Sequence, residues 1–333
     1  MLMARKVSRS GATQVAVEAL YLGSALVYTG SRACSESPPE TDHKSADQHM
    51  NDDEKYLLDL HGYLVIKGAL SPEEVRSANA AIDHHADQIQ IRPNDLAHES
   101  RTLQGTCGRG DLSGMMTWEK PHCDVFRHMT VHPKLTPYLE ELLGPGLRLE
   151  GMHLITMDKG AEGFWFHEGA TPYDRSRNYH YHNGRMYGGM TNMAIQLADV
   201  APGAGGFACM PGSHKANYPC PGNIRLYEDH QERFAQIPAQ AGDVILFFEC
   251  LMHGTLPWSG DNQRRSLRII YNSGVVGEGL MGTYTPPPFW EELTEDQQAL
   301  ISAPRYRGEL VKDQEVLDFN AKRTKAGSPG EKS

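Results

Sequence analysis

The sequence predicts a mainly β domain with flanking helices, a sandwich or barrel of the jelly-roll kind. Three observations carry this. From residue 148 onward, apolar runs of about five to ten residues alternate with Gly, Pro, Asn and Asp, the punctuation of a many-stranded fold. Helix-like patterns gather before and after that region, at 71–88, 134–143 and 289–301. The chain has 333 residues, 39% of them hydrophobic and 22% charged, enough to bury one large core. No run approaches the roughly 18 apolar residues of a membrane span.

Residues 1–53 differ in character from the rest of the chain. The first seventeen carry Arg5, Lys6 and Arg9 and no acid, an apolar stretch at 15–28 is broken by Glu18, and 35–53 is polar with Pro38 and Pro39. Such a start reads as an organelle-targeting leader over residues 1–30 and a linker, or as a disordered tail. Lys6-Val7 with Gln14 misses the spacing of a peroxisomal N-terminal signal by one residue. The folded domain is expected over 54–310, with a polar tail at 311–333.

His61-Gly62-Tyr63-Leu64-Val65-Ile66 reads as a short strand after a helical segment. Ser71-Pro72-Glu73-Glu74 supplies an N-cap, a proline at the first helical position and a capping-box glutamate, so a helix should run to residue 88. The second helix, 134–143, is closed by Gly144 and Pro145. Strands are predicted at 147–157, 163–167, 190–200, 206–210, 243–248 and 266–272. Thr294 and Gln297 cap the last helix.

Net charge is −10, from 32 basic and 42 acidic residues, which argues against a nucleic-acid partner because phosphate binding needs a basic face. Six cysteines (34, 107, 123, 209, 220 and 250) include no C-x-x-C pair, so neither a zinc ribbon nor a disulfide framework is expected. Cys209 and Cys250 sit in apolar runs as buried thiols. An intracellular, reducing compartment is the expectation.

The segment 241–265 is the most informative. It passes from Gly242-Asp243 through a buried apolar strand to His253 and returns through Arg264 and Arg265. Upstream, Phe164-Trp165-Phe166-His167 offers a second imidazole. Iron(II) held by two histidines and a carboxylate leaves positions open for a keto acid and dioxygen. In a double-stranded β-helix the first histidine and the carboxylate stand at i and i+2 of one strand, so both point inward.

With these positions the chain resembles the phytanoyl-CoA dioxygenase family of iron(II)- and 2-oxoglutarate-dependent oxygenases over roughly Tyr56 to Asn272. The resemblance rests on G-Y-L-V-I-K-G-A-L-S from Gly62, P-G-S-H-K from Pro211, G-D-V-x-x-F…H-G-T from Gly242 to Thr255, and the arginine beyond. It implies a double-stranded β-helix (jelly-roll, cupin-like). It further implies that His167 and His253 bind Fe(2+), and that Arg264 and Thr255 hold the far carboxylate of 2-oxoglutarate. Arg265 is the alternative to Arg264 and should point to the opposite face.

The family's H-x-D is His167-Glu168-Gly169 here, and Gly169 cannot ligate. Glu168 faces away on a regular strand unless a bulge turns it inward. Glu249 and Asp174 are the other carboxylates to weigh. An H-x-G triplet also occurs in the halogenases of this chemistry, where a small residue leaves room for chloride or bromide. Three readings stay open: an oxygenase that hydroxylates a small molecule with O2, a halogenase with halide beside Gly169, and a catalytically silent cupin-like binding protein.

Other residues read more blandly. His180 and His182 share a strand face and suit the substrate entrance better than zinc, lacking a third ligand at a recognised spacing. Arg185, in the same insertion, is a solvated arginine or an anchor for an anionic substrate. His214 and Lys215 shape a turn, Trp258 is core or pocket wall, and Asp243 is a turn residue rather than a base.

Overall fold

Alternation along three central strands decides where the faces of the main sheet point. In the computed structural model of the protein, residues 50–144, 146–276 and 286–302 are described, with the backbone of 305–306 and 309–310. The tail at 311–333 and all but the last four residues of the expected leader lie outside them. The helices are α1 (Asp52–His61), α2 (Pro72–His84), α3 (Asp124–Met129), α4 (Thr136–Leu143), α5 (Gly222–Arg225) and α6 (Glu295–Leu300). The strands are β1 (Tyr63–Ile66), β2 (Gln90–Ile91), β3 (Gly110–Ser113), β4 (Arg148–Met157), β5 (Phe164–His167), β6 (His180–His182), β7 (Arg185–Tyr187) and β8 (Thr191–Gln196). They continue with β9 (Gly206–Cys209), β10 (Ala235–Gln236), β11 (Val244–Phe248), β12 (His253–Leu256), β13 (Arg264–Asn272), β14 (Arg305–Tyr306) and β15 (Glu309–Leu310).

A seven-stranded sheet runs β1-β11-β8-β13-β4-β3-β2, and a four-stranded sheet runs β10-β9-β12-β5. Their pairings are antiparallel. Val244, Leu246 and Phe248 of β11, Met193 and Ile195 of β8, and Leu267, Ile269 and Tyr271 of β13 pack in one core with Val75, Ala78 and Ile82 of α2 and Phe126 of α3. The intervening Ile245, Phe247 and Ala194 face the other way, against Phe207 and Cys209 of β9. Period 2 thus places helices on one side of the large sheet and the small sheet on the other. This is the jelly-roll, cupin-like architecture expected from the sequence.

Local signals act as the sequence suggests. Ser71 and Glu74 exchange capping bonds at the start of α2, as do Thr294 and Gln297 at α6. Several boundaries differ: the helix expected at 134–143 begins at Thr136, that at 289–301 divides into a 3-10 turn and α6, and the strand expected at 190–200 ends at Gln196. Helix α2 ends at His84, and a 3-10 turn at Ala86–Gln88 takes up the residues expected to extend it. The run through 241–253 is not one strand ending in His253. Chain β11 stops at Phe248 in the large sheet, the N–H of Leu251 donates to the Phe248 carbonyl, and His253 opens β12 in the small sheet.

Among the described residues, no helix is long and apolar enough to cross a membrane. Leu267 sits at the centre of the large sheet with no exposed surface. Leu267→Ala should lower unfolding stability by about 2–5 kcal/mol in urea titration, and a loss under about 1 kcal/mol would show that β13 is not a core strand.

Candidate active site

The cavity between the sheets is lined by inward-facing residues of both. Arg264, Ser266 and Arg268 stand at i, i+2 and i+4 on β13, and His253 and Thr255 at i and i+2 on β12. On β5 the lining residues are Phe164 and His167, three apart, which regular alternation forbids. The pairing explains it. His253 faces His167 and Thr255 faces Phe164, so β5 carries one extra residue between them. This bulge lies before His167, not after it, and its effect is to turn the imidazole inward rather than Glu168.

The imidazoles of His167 and His253 are 4.3 Å apart between centroids. His253 Nδ1 donates to the Leu251 carbonyl at 2.7 Å, and His167 Nδ1 lies 3.3 Å from the Trp165 carbonyl. Both bonds leave Nε2 with its lone pair, the nitrogen that a metal would take. His253 Nε2 is buried without a partner among the described residues. Burial holds His167 well below its usual pKa, helped by His253, and lowers His253 to about 4, so both rings are neutral ligands at pH 7.

Glu249 completes the cluster. Its carboxylate and the two ring nitrogens lie within 4.8 Å of one another. On a continuous strand, residues 249 and 253 would stand about 13 Å apart; the turn at 249–252 folds them together. Oε2 of Glu249 accepts from Asn192 Nδ2 at 2.6 Å and Arg268 at 2.5 Å. Burial alone would raise this carboxyl, but the Arg268 guanidinium, with the Asn192 bond, outweighs it and keeps the group ionised at neutral pH. Two neutral imidazoles and a carboxylate are a donor set that suits ferrous iron.

Arg264 is 3% exposed, and burial followed by Arg109 lowers it to about 10, still charged at neutral pH. Among the described residues its Nε has no partner, and one terminal nitrogen meets only the Met157 sulfur, at 3.5 Å. Gly206 makes room for it, since a Cβ there would come within 2.8 Å of Nε. Arg265 points away and bonds Asn79 and Asp83. Arg109, paired with Asp111, and His153 also line the cavity.

Gly169, Glu168 and Asp174 are not brought to the histidines. They line a neighbouring cavity of about 230 Å³ with Thr171, Arg177 and Arg225. Glu168 leaves β5 at φ 61° and meets Arg177 at 3.5 Å. Asp174 accepts from the Ser176 N–H and hydroxyl at 2.8 Å. Gly169 has φ 112°, and a Cβ built there would meet only Arg225, at 3.8 Å. Arg185, half-buried, donates to the Glu140 and Glu141 carbonyls, closing the C-terminus of α4. His180 and His182 lie on the β6–β7 hairpin, His180 stacked on Tyr187. His214 is buried in a 3-10 turn against the Asp59 carbonyl, while Trp258 is core, packed with Met157 and Val200.

Residues 58–266 match the family described as phytanoyl-CoA dioxygenase (PhyH). The chain belongs to this family. HygX from Streptomyces hygroscopicus, solved with nickel and 2-oxoglutarate bound, is 22% identical, with a TM-score of 0.55 over 67% of this chain and 87% of HygX. SnoK, described as a non-heme alpha ketoglutarate dependent carbocyclase from nogalamycin biosynthesis, is 18% identical, with a TM-score of 0.52 over 80% of this chain and 96% of its own. At these identities the likeness is one of fold. No curated protein matches in sequence.

Within this PhyH domain, Arg268, Asn192, Arg109 and His153 escaped the sequence reading. The alternation of β13, extended two residues past Ser266, would have found Arg268. Nothing local marks the others. Asp243 holds the turn into β11: burial would raise its carboxyl, yet bonds from Lys67 and the N–H groups of Gln240 and Gly68 leave it lowered. A lowered folded pKa gives stability that is present above the unfolded value and lost as pH falls through the folded one. The stability gap between wild type and Asp243→Asn should therefore be full at pH 7 and shrink below about pH 4; a gap constant from pH 7 to 3 would remove this role.

Proposed function

We propose that this chain is an iron(II)- and 2-oxoglutarate-dependent oxygenase that hydroxylates a small organic substrate. His167, His253 and Glu249 would hold the metal, and Arg264 with Thr255 the cosubstrate. One observation carries the reading: two tautomer-fixed imidazoles that line a cavity have an ionised carboxylate within 4.8 Å, and the same cavity presents a buried guanidinium with no acid partner among the described residues. With iron, 2-oxoglutarate and dioxygen bound, such a site oxidises a C–H bond and releases succinate and carbon dioxide.

The chain's own residues then have definite tasks. Arg264 binds a carboxylate by its planar fork, better than a lysine could. Thr255, on β12 of the small sheet, faces the same cavity from the opposite wall and would donate a hydroxyl. Asn192 and Arg268 orient Glu249 and keep it ionised. Phe164, Phe207 and Phe247 exclude water around the histidines. The substrate would enter beside Glu168, Thr171 and Arg177. HygX has been solved with hygromycin B beside nickel and 2-oxoglutarate, which supports a small-molecule substrate. Hydroxylation is favoured over halogenation because Glu249 supplies the third donor, whereas Gly169 opens onto the outer cavity.

Purified full-length protein with iron(II) should release succinate from 2-oxoglutarate under air, and His253→Ala should abolish it. Equal release by both would sink the proposal, and none from either would leave a binding protein. Arg264→Lys should raise the KM for 2-oxoglutarate about ten- to a hundredfold; an unchanged KM would remove Arg264 from the cosubstrate site. Glu249→Gln should weaken iron binding at least about tenfold. Gly169→Asp should leave it unchanged, at a stability cost of about 1–3 kcal/mol for the strained backbone. The reverse pattern, read by iron titration, would return the third donor to position 169.

A further inference from the structure

Three histidines meet on the helical side of the domain. His84 ends α2, His85 is its C-cap, and His122 lies in the turn before α3. One ring nitrogen of each lies within 4.8 Å of the others. Ring centroids are 4.2 Å apart for His84 and His122, 4.9 Å for His84 and His85, and 5.0 Å for His85 and His122.

The ring of His85 is fixed from two sides. Its Nδ1 donates to the Ala81 carbonyl at 2.8 Å, leaving Nε2 as the lone-pair nitrogen. It also stacks on Trp118 at 3.8 Å, within 5° of parallel. Trp118 is itself held, its Nε1 donating to Gln88 at 3.0 Å and its ring edge-on to buried Phe126. A ligand tautomer set by a backbone carbonyl and a ring set by packing are the outer supports that metal-binding histidines use. The imidazoles of His84 and His122 make no hydrogen bond among the described residues, so their ring nitrogens are not spent. His84 is exposed, which gives an ion an entry path.

A second cluster shows the contrast. His128 and His132 each place Nε2 on Glu74 Oε1, at 3.2 and 3.1 Å, and the Lys134 N–H lies 3.3 Å from His132 Nδ1. Both ring nitrogens of His132 already serve hydrogen bonds within the protein, and His128 shares its carboxylate partner. The three-histidine group has no carboxylate doing the same.

We propose that His84, His85 and His122 form a surface site for a borderline divalent cation of the zinc class, tying the end of α2 to the turn before α3. Three imidazoles suit zinc, nickel or copper(II) and not magnesium or calcium, which prefer oxygen ligands. One ion at about 2.0–2.1 Å from each nitrogen would require the three to draw closer together than they now stand. The site is separate from the cavity of His167 and His253 and does not depend on the function proposed for it.

The test uses zinc(II) alone with the chelated full-length chain, counting bound ions by calorimetry. His122→Gln and His84→Gln should each bind one ion fewer per chain than wild type, and should lose the accompanying rise in melting temperature. His128→Gln should keep the wild-type count, which separates the two surface clusters. Any succinate release from 2-oxoglutarate should be the same in His122→Gln as in wild type, which separates this site from the cavity. The same zinc count in wild type and His122→Gln, or a loss in His128→Gln instead, overturns the proposal.

Discussion

A chain that passes from one sheet to the facing one has to turn, and here the turn of 249–252 governs the site. It takes the backbone from β11 of the large sheet to β12 of the small one. In doing so it sets Glu249 beside the ring that it also delivers, His253. The bulge in β5 performs the matching adjustment on the other wall and turns His167 to meet them. Neither feature is regular secondary structure. Each is an interruption of alternation that places a side chain where a straight strand would have pointed it elsewhere.

Charge inside the cavity is balanced unevenly. A buried ion is costly unless paired and hydrogen-bonded. Glu249 meets this condition through Arg268 and Asn192, and Arg109 meets it through Asp111. Arg268 connects the two halves of the problem: it grows from β13, the strand that also carries Arg264, and reaches across to the carboxylate near the imidazoles. The inward face of one strand therefore supplies both the partner for the acidic donor and the cation at the far end of the cavity.

Much of the architecture was legible because it depends on local chemistry. Capping boxes at Ser71 and Thr294 mark helices by satisfying exposed N–H groups within four residues of sequence, and strand runs show in alternation and turn residues. His167, His253, Thr255 and Arg264 could be singled out because short motifs surround them, and the structure gathers these four in one cavity. The carboxylate that stands beside the two imidazoles was not legible in the same way. Position 169 attracts attention by spacing from His167, whereas the proximity of Glu249 depends on where β11 stops, and an apolar run such as Val-Ile-Leu-Phe-Phe does not announce its end. Arg185 was misread for a similar reason, since its partners are the carbonyls of a helix some forty residues away. The three-histidine cluster joins residues 84–85 to 122, a long-range meeting that no sequence spacing encodes.

Arg264 has a consequence beyond recognition. A guanidinium withheld from water, and from every described acid of its own chain, makes the folded state less favourable than it would be with a counter-charge in place. Any anion that docks there relieves that penalty only when the two sheets are closed around it. Folding equilibrium and anion occupancy are consequently linked: an anion bound at this guanidinium would raise the fraction of the protein that stays native.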